Sequence, residues 1–357
     1  MSIDFDAKRW ERIKADSVKW WAGELKRPLI WMTTKGRDPG RKEPSIPSHR
    51  FAACYSDDVT PEQIVDRWEY DLSRQYFFGD AFPVAWPNFG ACVMAAMLGC
   101  ELAAEEHTVW FHPPRELALD EIELKFDPEN KWLKRISAII EAAGQRFAGR
   151  VQTCMPILGG SLDVLSVFRP GEALLLDLVD EPEMVEKLIW QAYELWWQYF
   201  EHFDRILRKY NSGWTCWTPM FSLEPYYVFQ CDFSYMIGPA MFERFVKKDL
   251  AGCCKRIKHG FYHLDGVGAL PHLDSILEIP ELKGVQWIPG DGKPGACQWL
   301  EVITKIRKAG KLVQVFGSMK GFDILAEKIG SVEGICLICP GSSEKEVEKF
   351  LLKYGAL

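Results

Sequence analysis

The sequence predicts an α/β chain folded as a (β/α)8 barrel. Three observations carry that prediction. Eight short β-type runs alternate with amphipathic helical stretches, the pattern of a parallel sheet with helices outside it. The 357 residues contain no Pro-, Gly- or Ser-rich linker and no internal repeat, which fits one barrel domain over 1–357 with loop insertions. The first run is not followed by a Gly-x-Gly-x-x-Gly turn, the mark of a dinucleotide-binding sheet. An open doubly wound sheet is the alternative architecture.

In chain order, residues 1–16 are charged and amphipathic and read as a helical extension ahead of the barrel. The eight candidate strands are 28–33, 82–86, 150–155, 214–217, 261–266, 284–288, 312–317 and 334–339. Residues 41–58 read as a long loop and 99–124 as an insertion with little regular pattern; in barrel enzymes such loops often cover the active site, and a solvated excursion is the other reading. A helix over about 182–210 follows Asp180-Glu181-Pro182, a good start signal. A helix over 240–259 carries Met241, Phe242, Phe245, Val246, Leu250, Cys253, Cys254 and Ile257 on one stripe, and Gly260 is the expected cap at its end. The last helix opens at Ser343 through Glu346, a capping-box pattern, with Val347, Phe350 and Leu351 as its apolar stripe.

Composition narrows the function classes. The net charge is -7 and no basic patch dominates, which argues against nucleic acid as a partner. No apolar run approaches the ~18 residues of a membrane span, and the charged N-terminus lacks a secretory core, so a cytoplasmic protein is expected. The 11 cysteines are an odd count, more consistent with thiols than with a disulfide framework. The 15 Trp and 21 Phe imply an aromatic core or an aromatic-lined pocket.

Several segments together resemble the uroporphyrinogen decarboxylase superfamily, whose fold is a (β/α)8 barrel. They are Arg27-Pro28-Leu29-Ile30-Trp31-Met32, Phe77-Phe78-Gly79-Asp80 with the stretch from Gly90 to Gly99, Leu158-Gly159-Gly160-Ser161, and Gln230-Cys231-Asp232-Phe233-Ser234 running into Gly238-Pro239 and Phe242. The decarboxylase signature, Met-Arg-Gln-Ala-Gly-Arg, reads here Met32-Thr33-Thr34-Lys35-Gly36-Arg37, so one of its two arginines is present. Val167 stands for the expected tyrosine, and Ile338-Cys339-Pro340-Gly341 stands where a histidine is expected; Asp80 matches the decarboxylase aspartate. The corrinoid-dependent methyltransferase branch resembles the chain better. Its zinc-dependent members carry His-x-Cys at one strand end and a Cys after the last strand. Here His263-Leu264-Asp265 and Cys339 occupy those places, with Asp265 for the first Cys.

The resemblance implies a zinc site of His263, Asp265 and Cys339. His263 and Asp265 are two apart, so in a strand both side chains lie on one face. A core His bonded to a nearby acid, with Cys339 an inert thiol, is the other reading. With zinc in place, the expected reaction moves a methyl group from a small methyl ether, aromatic ones included, to the Co(I) centre of a corrinoid on a separate protein, the ion acting as Lewis acid. Trp31, Trp86, Trp217, Tyr226 and Trp287 are candidate substrate-binding aromatics, together with Arg37; core anchoring is their alternative role. Asp80 and Glu224 are candidate catalytic acids, the former able to pair with Arg37, the latter placed just beyond the 214–217 run. A metal-independent decarboxylase or lyase using Asp80 and Arg37 is the alternative activity. The oligomeric state stays open, a homodimer included.

Overall fold

The structure, a computed structural model, describes residues 3–357. Its strands are β1 Leu29–Lys35, β2 Gln75–Gly79, β3 Val84–Ala85, β4 Glu101–Ala104, β5 Val109–His112, β6 Gln152–Thr153, β7 Tyr226–Gln230, β8 His259–Asp265, β9 Gly284–Ile288, β10 Leu312–Phe316 and β11 Ile335–Pro340. Six of them run parallel in the order β1, β11, β10, β9, β8, β7, and β2 adds antiparallel on the free side of β1. β3 and β6 form a separate parallel pair, and β4 with β5 a hairpin. The fold is therefore mixed α/β with a mostly parallel central sheet.

Register sorts the side chains. Gln230, His263, Gln286, Gln314, Cys336 and Leu29 are successive partners across β7, β8, β9, β10, β11 and β1. Residues two apart share a face, so Asp265, Ile288, Phe316, Ile338 and Trp31 lie on that same inner face. The opposite face meets the helices. There Tyr227 packs edge-on against Trp196 of helix Pro182–Leu207, centroids 4.9 Å apart, and Trp287 packs against Trp299 at 5.4 Å.

The N-terminal helix, Ala7–Trp21, starts where the Asp6 side chain accepts the Arg9 N–H at 2.8 Å. Its buried stripe of Trp10, Ile13, Ser17, Trp20 and Trp21 covers the beginnings of the strands. Trp21 stacks on His259, the first residue of β8, at 4.2 Å, and its indole N–H donates to Phe221 O. The last helix, Glu344–Lys353, opens on Ser343 as expected, its Oγ accepting the Glu346 N–H. All 11 cysteines are free thiols. Among the described residues, no helix is long and apolar enough to cross a membrane.

Three expectations need correction. Residues 214–217 do not join the central sheet; Trp214 makes an isolated antiparallel bridge to Ser222, and the strand at this place is β7. Two Trp made the earlier segment look strand-like, but the fully buried run Tyr226–Gln230 fits a strand covered on both faces better. The helix expected over 240–259 is two helices, Pro239–Phe245 and Lys247–Arg256, broken at Val246, whose φ of -124° leaves the helical region. Gly260, expected as a helix cap, lies within β8; a Cβ there would approach the Phe229 ring to 3.2 Å. The 99–124 insertion contains the β4–β5 hairpin.

Candidate metal centre

Strand β8 ends on His263 and Asp265, and β7 ends two residues before Asp232. Parallel neighbours bring these ends together. His263 Nε2 stands 3.8 Å from Asp265 Oδ2 and 4.0 Å from Asp232 Oδ1. One ligand-type atom from each of the three residues lies within 4.8 Å of the others. In a tetrahedral zinc site with bonds of about 2.0–2.2 Å, ligand atoms sit roughly 3.4 Å apart. Small side-chain movements close that difference.

The imidazole is held from behind. Its Nδ1 is 2.5 Å from Gln286 Oε1, the register partner on β9. An amide oxygen only accepts, so Nδ1 carries a proton and donates, and Nε2, the nitrogen that would offer a lone pair to a metal, faces the two carboxylates. Gln286 Nε2 donates to Gln314 Oε1 on β10, which also accepts the Thr218 hydroxyl at 3.3 Å. The Trp217 ring stands edge-on to His263 at 5.0 Å.

Asp232 is placed by a buried acid, Asp163. Asp163 Oδ1 accepts the Phe233 N–H at 2.9 Å and Oδ2 accepts the Gly160 N–H at 3.1 Å, tying the turn after β7 to the start of helix Ser161–Phe168. Gly160 permits this approach, since a Cβ there would meet Gln230 O at 2.2 Å.

The charges are arranged for a cation. About 44% of the Asp232 side chain is exposed, yet desolvation by the protein beneath it, then the Asp163 charge, push its pKa up to about 7 against the pull of His263. Burial works against the charged form of His263, but the Asp265 hydrogen bond and the charges of Asp232 and Asp265 override it, and its pKa is raised. Asp232 and His263 thus favour their protonated forms, and a cation would displace those protons. Beside them opens a cleft of about 300 Å³ lined by Asp232, Tyr235, Asp265, Gly290, Asp291 and Lys293.

The structure brings His263 and Asp265 together but puts Asp232, not Cys339, beside them. Parity explains this. Cys336 shares the inner face with Gln314, so Cys339, three residues on, falls on the opposite face. There burial, then the neighbouring Cys297 thiol, push its pKa up to about 12.

Asp80 lies at the other end of the strands. Its carboxylate takes both Arg27 terminal nitrogens at 2.8 Å and the Ile30 N–H at 2.8 Å, while Arg27 also reaches Asp16. Arg37 does not pair with it; Arg37 donates to Ser73 O and lies 3.7 Å from Asp4. Glu224 precedes β7 rather than following a strand, which puts it at the N-terminal end, in a pocket with Lys258 and Lys283.

Of the candidate aromatics, Trp217 touches His263. Trp31 is half-buried on the inner face of β1, and Trp86 is half-buried just past β3. Tyr226 is buried at the start of β7, near Trp21, with its hydroxyl donating to Thr218 O. Trp287 is buried on the helix-facing side against Trp299. Neither of the last two reaches the carboxylates from those places.

Asp232, Gln286, Gln314 and Asp163 had no sequence-derived role. For Asp232 a signal existed: once Tyr226–Gln230 is recognised as a strand, Asp232 becomes a strand-end acid like Asp265.

No protein-family model matches the chain, and no curated protein matches it. Among solved structures it is similar to a methyltransferase from Methanosarcina mazei, with a TM-score of 0.60 at 14% identity, covering 96% of this chain and 97% of that one. At that identity the likeness concerns the fold.

Proposed function

We propose that this chain is a methyltransferase of the corrinoid-dependent type, in which Asp232, His263 and Asp265 hold a zinc ion beside the methyl donor. The observation that carries the reading is the His263 arrangement: Nδ1–H committed to Gln286, and Nε2 turned toward two carboxylates at 3.8 and 4.0 Å. Two carboxylates and one imidazole leave an open position, as catalytic zinc requires. A bound zinc supplies Lewis-acid stabilisation to the oxygen that departs when a methyl ether is cleaved.

The chain's own residues do the rest. Gln286 and Gln314 fix the imidazole tautomer. Asp163 fixes the backbone beside Asp232. Trp217, Ile288 and Phe316 offer apolar surface for the body of a small methyl ether, aromatic ones included. The acceptor is the Co(I) form of a corrinoid carried by a separate protein that docks over the strand ends. In this reading the parallel strands, with the β3–β6 pair, form one closed (β/α)8 ring, and the neighbour named methyltransferase, matching nearly the whole chain, supports that architecture.

The test mixes the metal-loaded protein with a reduced corrinoid protein and a panel of methoxyarenes, and follows the corrinoid's visible spectrum. Methylation that disappears in His263→Ala is expected. No methylation with any donor, at full metal loading, would overturn the proposal. The metal-independent lyase reading has no comparable observation behind it, because the Asp80 oxygens are already engaged by Arg27 and Ile30.

A further inference from the structure

Several arginines of this chain are answered by acids. Arg27, Arg67, Arg146, Arg169 and Arg244 each meet one or two carboxylates within 3.2 Å. Acids are not scarce, since 50 of them face 43 lysines and arginines. Lys8, Arg9 and Arg12 differ. Among the described residues, none of the three forms an ion pair. They nevertheless stand close together. In helix Ala7–Trp21, Lys8 and Arg12 are one turn apart, with Arg9 beside them. Burial, then the Arg12 charge, lower the Arg9 pKa against the pull of Asp6, Asp4 and Asp80. Like charges at this spacing cost helix stability, and so do cations in a first turn, which here holds no acid.

All three line one cleft of about 380 Å³, together with Phe77, Phe78, Gly79 and Leu357. Among the described residues that line it there is no Asp or Glu. The cleft lies beside the end of β2. Because β2 runs against β1, that is the end of the strands away from His263. Arg12 Nη2 donates to Gly79 O at 2.5 Å, while its Nε is buried without a partner among the protein's own groups. Arg9 Nη2 donates to Ala81 O at 3.4 Å. The Arg9 guanidinium stands over the Phe5 ring, 4.6 Å from its centroid, and Phe5 packs edge-on against Phe77 at 5.8 Å. Such stacking fixes the plane of a guanidinium and leaves its N–H edge for an acceptor. The cleft thus joins a cationic wall to an aromatic one, at the volume of a small-molecule site.

We infer that this cleft binds an organic anion, its charged oxygens meeting Lys8, Arg9 and Arg12 and its apolar body covering Phe77, Phe78 and Leu357. A bare inorganic ion would meet the cations but leave the rings and most of the volume unused. The bound anion relieves the repulsion among the three cations and so steadies the helix that covers the beginnings of the strands. The site is separate from the one at His263 and does not depend on an ion there.

The probes are octyl phosphate, octanoate, octylammonium and inorganic phosphate, titrated calorimetrically into the full purified chain. The two organic anions share a tail and differ in headgroup, so the tighter of them names the headgroup. Each is expected to bind about tenfold or more above octylammonium and inorganic phosphate, and to weaken as salt is raised. Arg12→Gln should reduce octyl phosphate affinity about tenfold or more, and Lys8→Gln, at the exposed rim, several-fold. His263→Ala should bind octyl phosphate like the unaltered protein. If Arg12→Gln does not fold, Lys8→Gln decides. Binding of neither organic anion, equal binding of octylammonium or inorganic phosphate, or unchanged affinity in the folded cleft variants would overturn the inference. So would loss of binding in His263→Ala, which would move the anion to the metal centre.

Discussion

The two ends of the parallel strands hold similar ionisable groups in opposite conditions. At the N-terminal end, Arg27 and Asp80 meet in a two-point pair at 2.8 Å, with Asp16 on the same guanidinium and the Ile30 N–H on the same carboxylate. Burial opposes the Arg27 charge, but Asp80 and Asp16 override it and raise its pKa. That group is finished. At the C-terminal end, His263, Asp232 and Asp265 approach only to 3.8–4.0 Å, and burial raises the Asp232 pKa. Both ends contain carboxylates, so composition alone does not mark the site. Whether the charges already complete one another does.

The comparison breaks most visibly under Arg27→Met. Leaving Asp80 buried without its partner should cost about 3–5 kcal/mol in denaturant unfolding. Metal content per folded chain should stay as in the unaltered protein. A loss of metal there would join the two ends functionally and contradict the separation drawn here.

Gln286→Met tests the other end. It removes the acceptor that fixes His263, so metal affinity measured with a competing chelator should fall roughly 10–100-fold. An unchanged affinity would mean that the imidazole needs no support from β9.

His259 sharpens the contrast through pH. It is buried against Trp21 with Nδ1 2.8 Å from Ser222 Oγ, and burial, then Lys283 and Lys258, lower its pKa to about 4. The unfolded chain binds the proton near about 6.5, so this contribution to stability is complete above that pH and is lost as pH falls toward 4. His259→Gln should flatten the melting temperature over that window. An equally steep decline in the variant would place the acid sensitivity elsewhere.

The smallest expected effect belongs to Cys339→Ser. Since this thiol faces away from Gln314 and His263, the substitution should leave metal content unchanged, as read by elemental analysis.

Much of this was legible in the alternation of strands and helices. The second half reads clearly, because β9, β10 and β11 are short apolar runs separated by regular amphipathic helices. The first half reads poorly. β3 and β6 are two-residue ladders, and the β4–β5 hairpin is half-exposed, so neither leaves a strong period. At the site, spacing was enough to put His263 and Asp265 on one face. It could not choose the third residue. Asp232 depended on finding β7, which was displaced onto the Trp214–Trp217 segment, and Cys339 depended on face parity that a one-residue shift in strand phase reverses. Gln286 and Gln314 read as ordinary polar residues in apolar strands, and only the register across β8, β9 and β10 reveals them as one chain of hydrogen bonds.

The central claim is that the C-terminal end is completed by an ion. Elemental analysis of the purified chain beside Asp232→Ala and His263→Ala tests it most directly. The account predicts about one zinc per chain in the unaltered protein and almost none in either variant, with all three folded. Equal zinc in the three proteins, or none in the first, would contradict it.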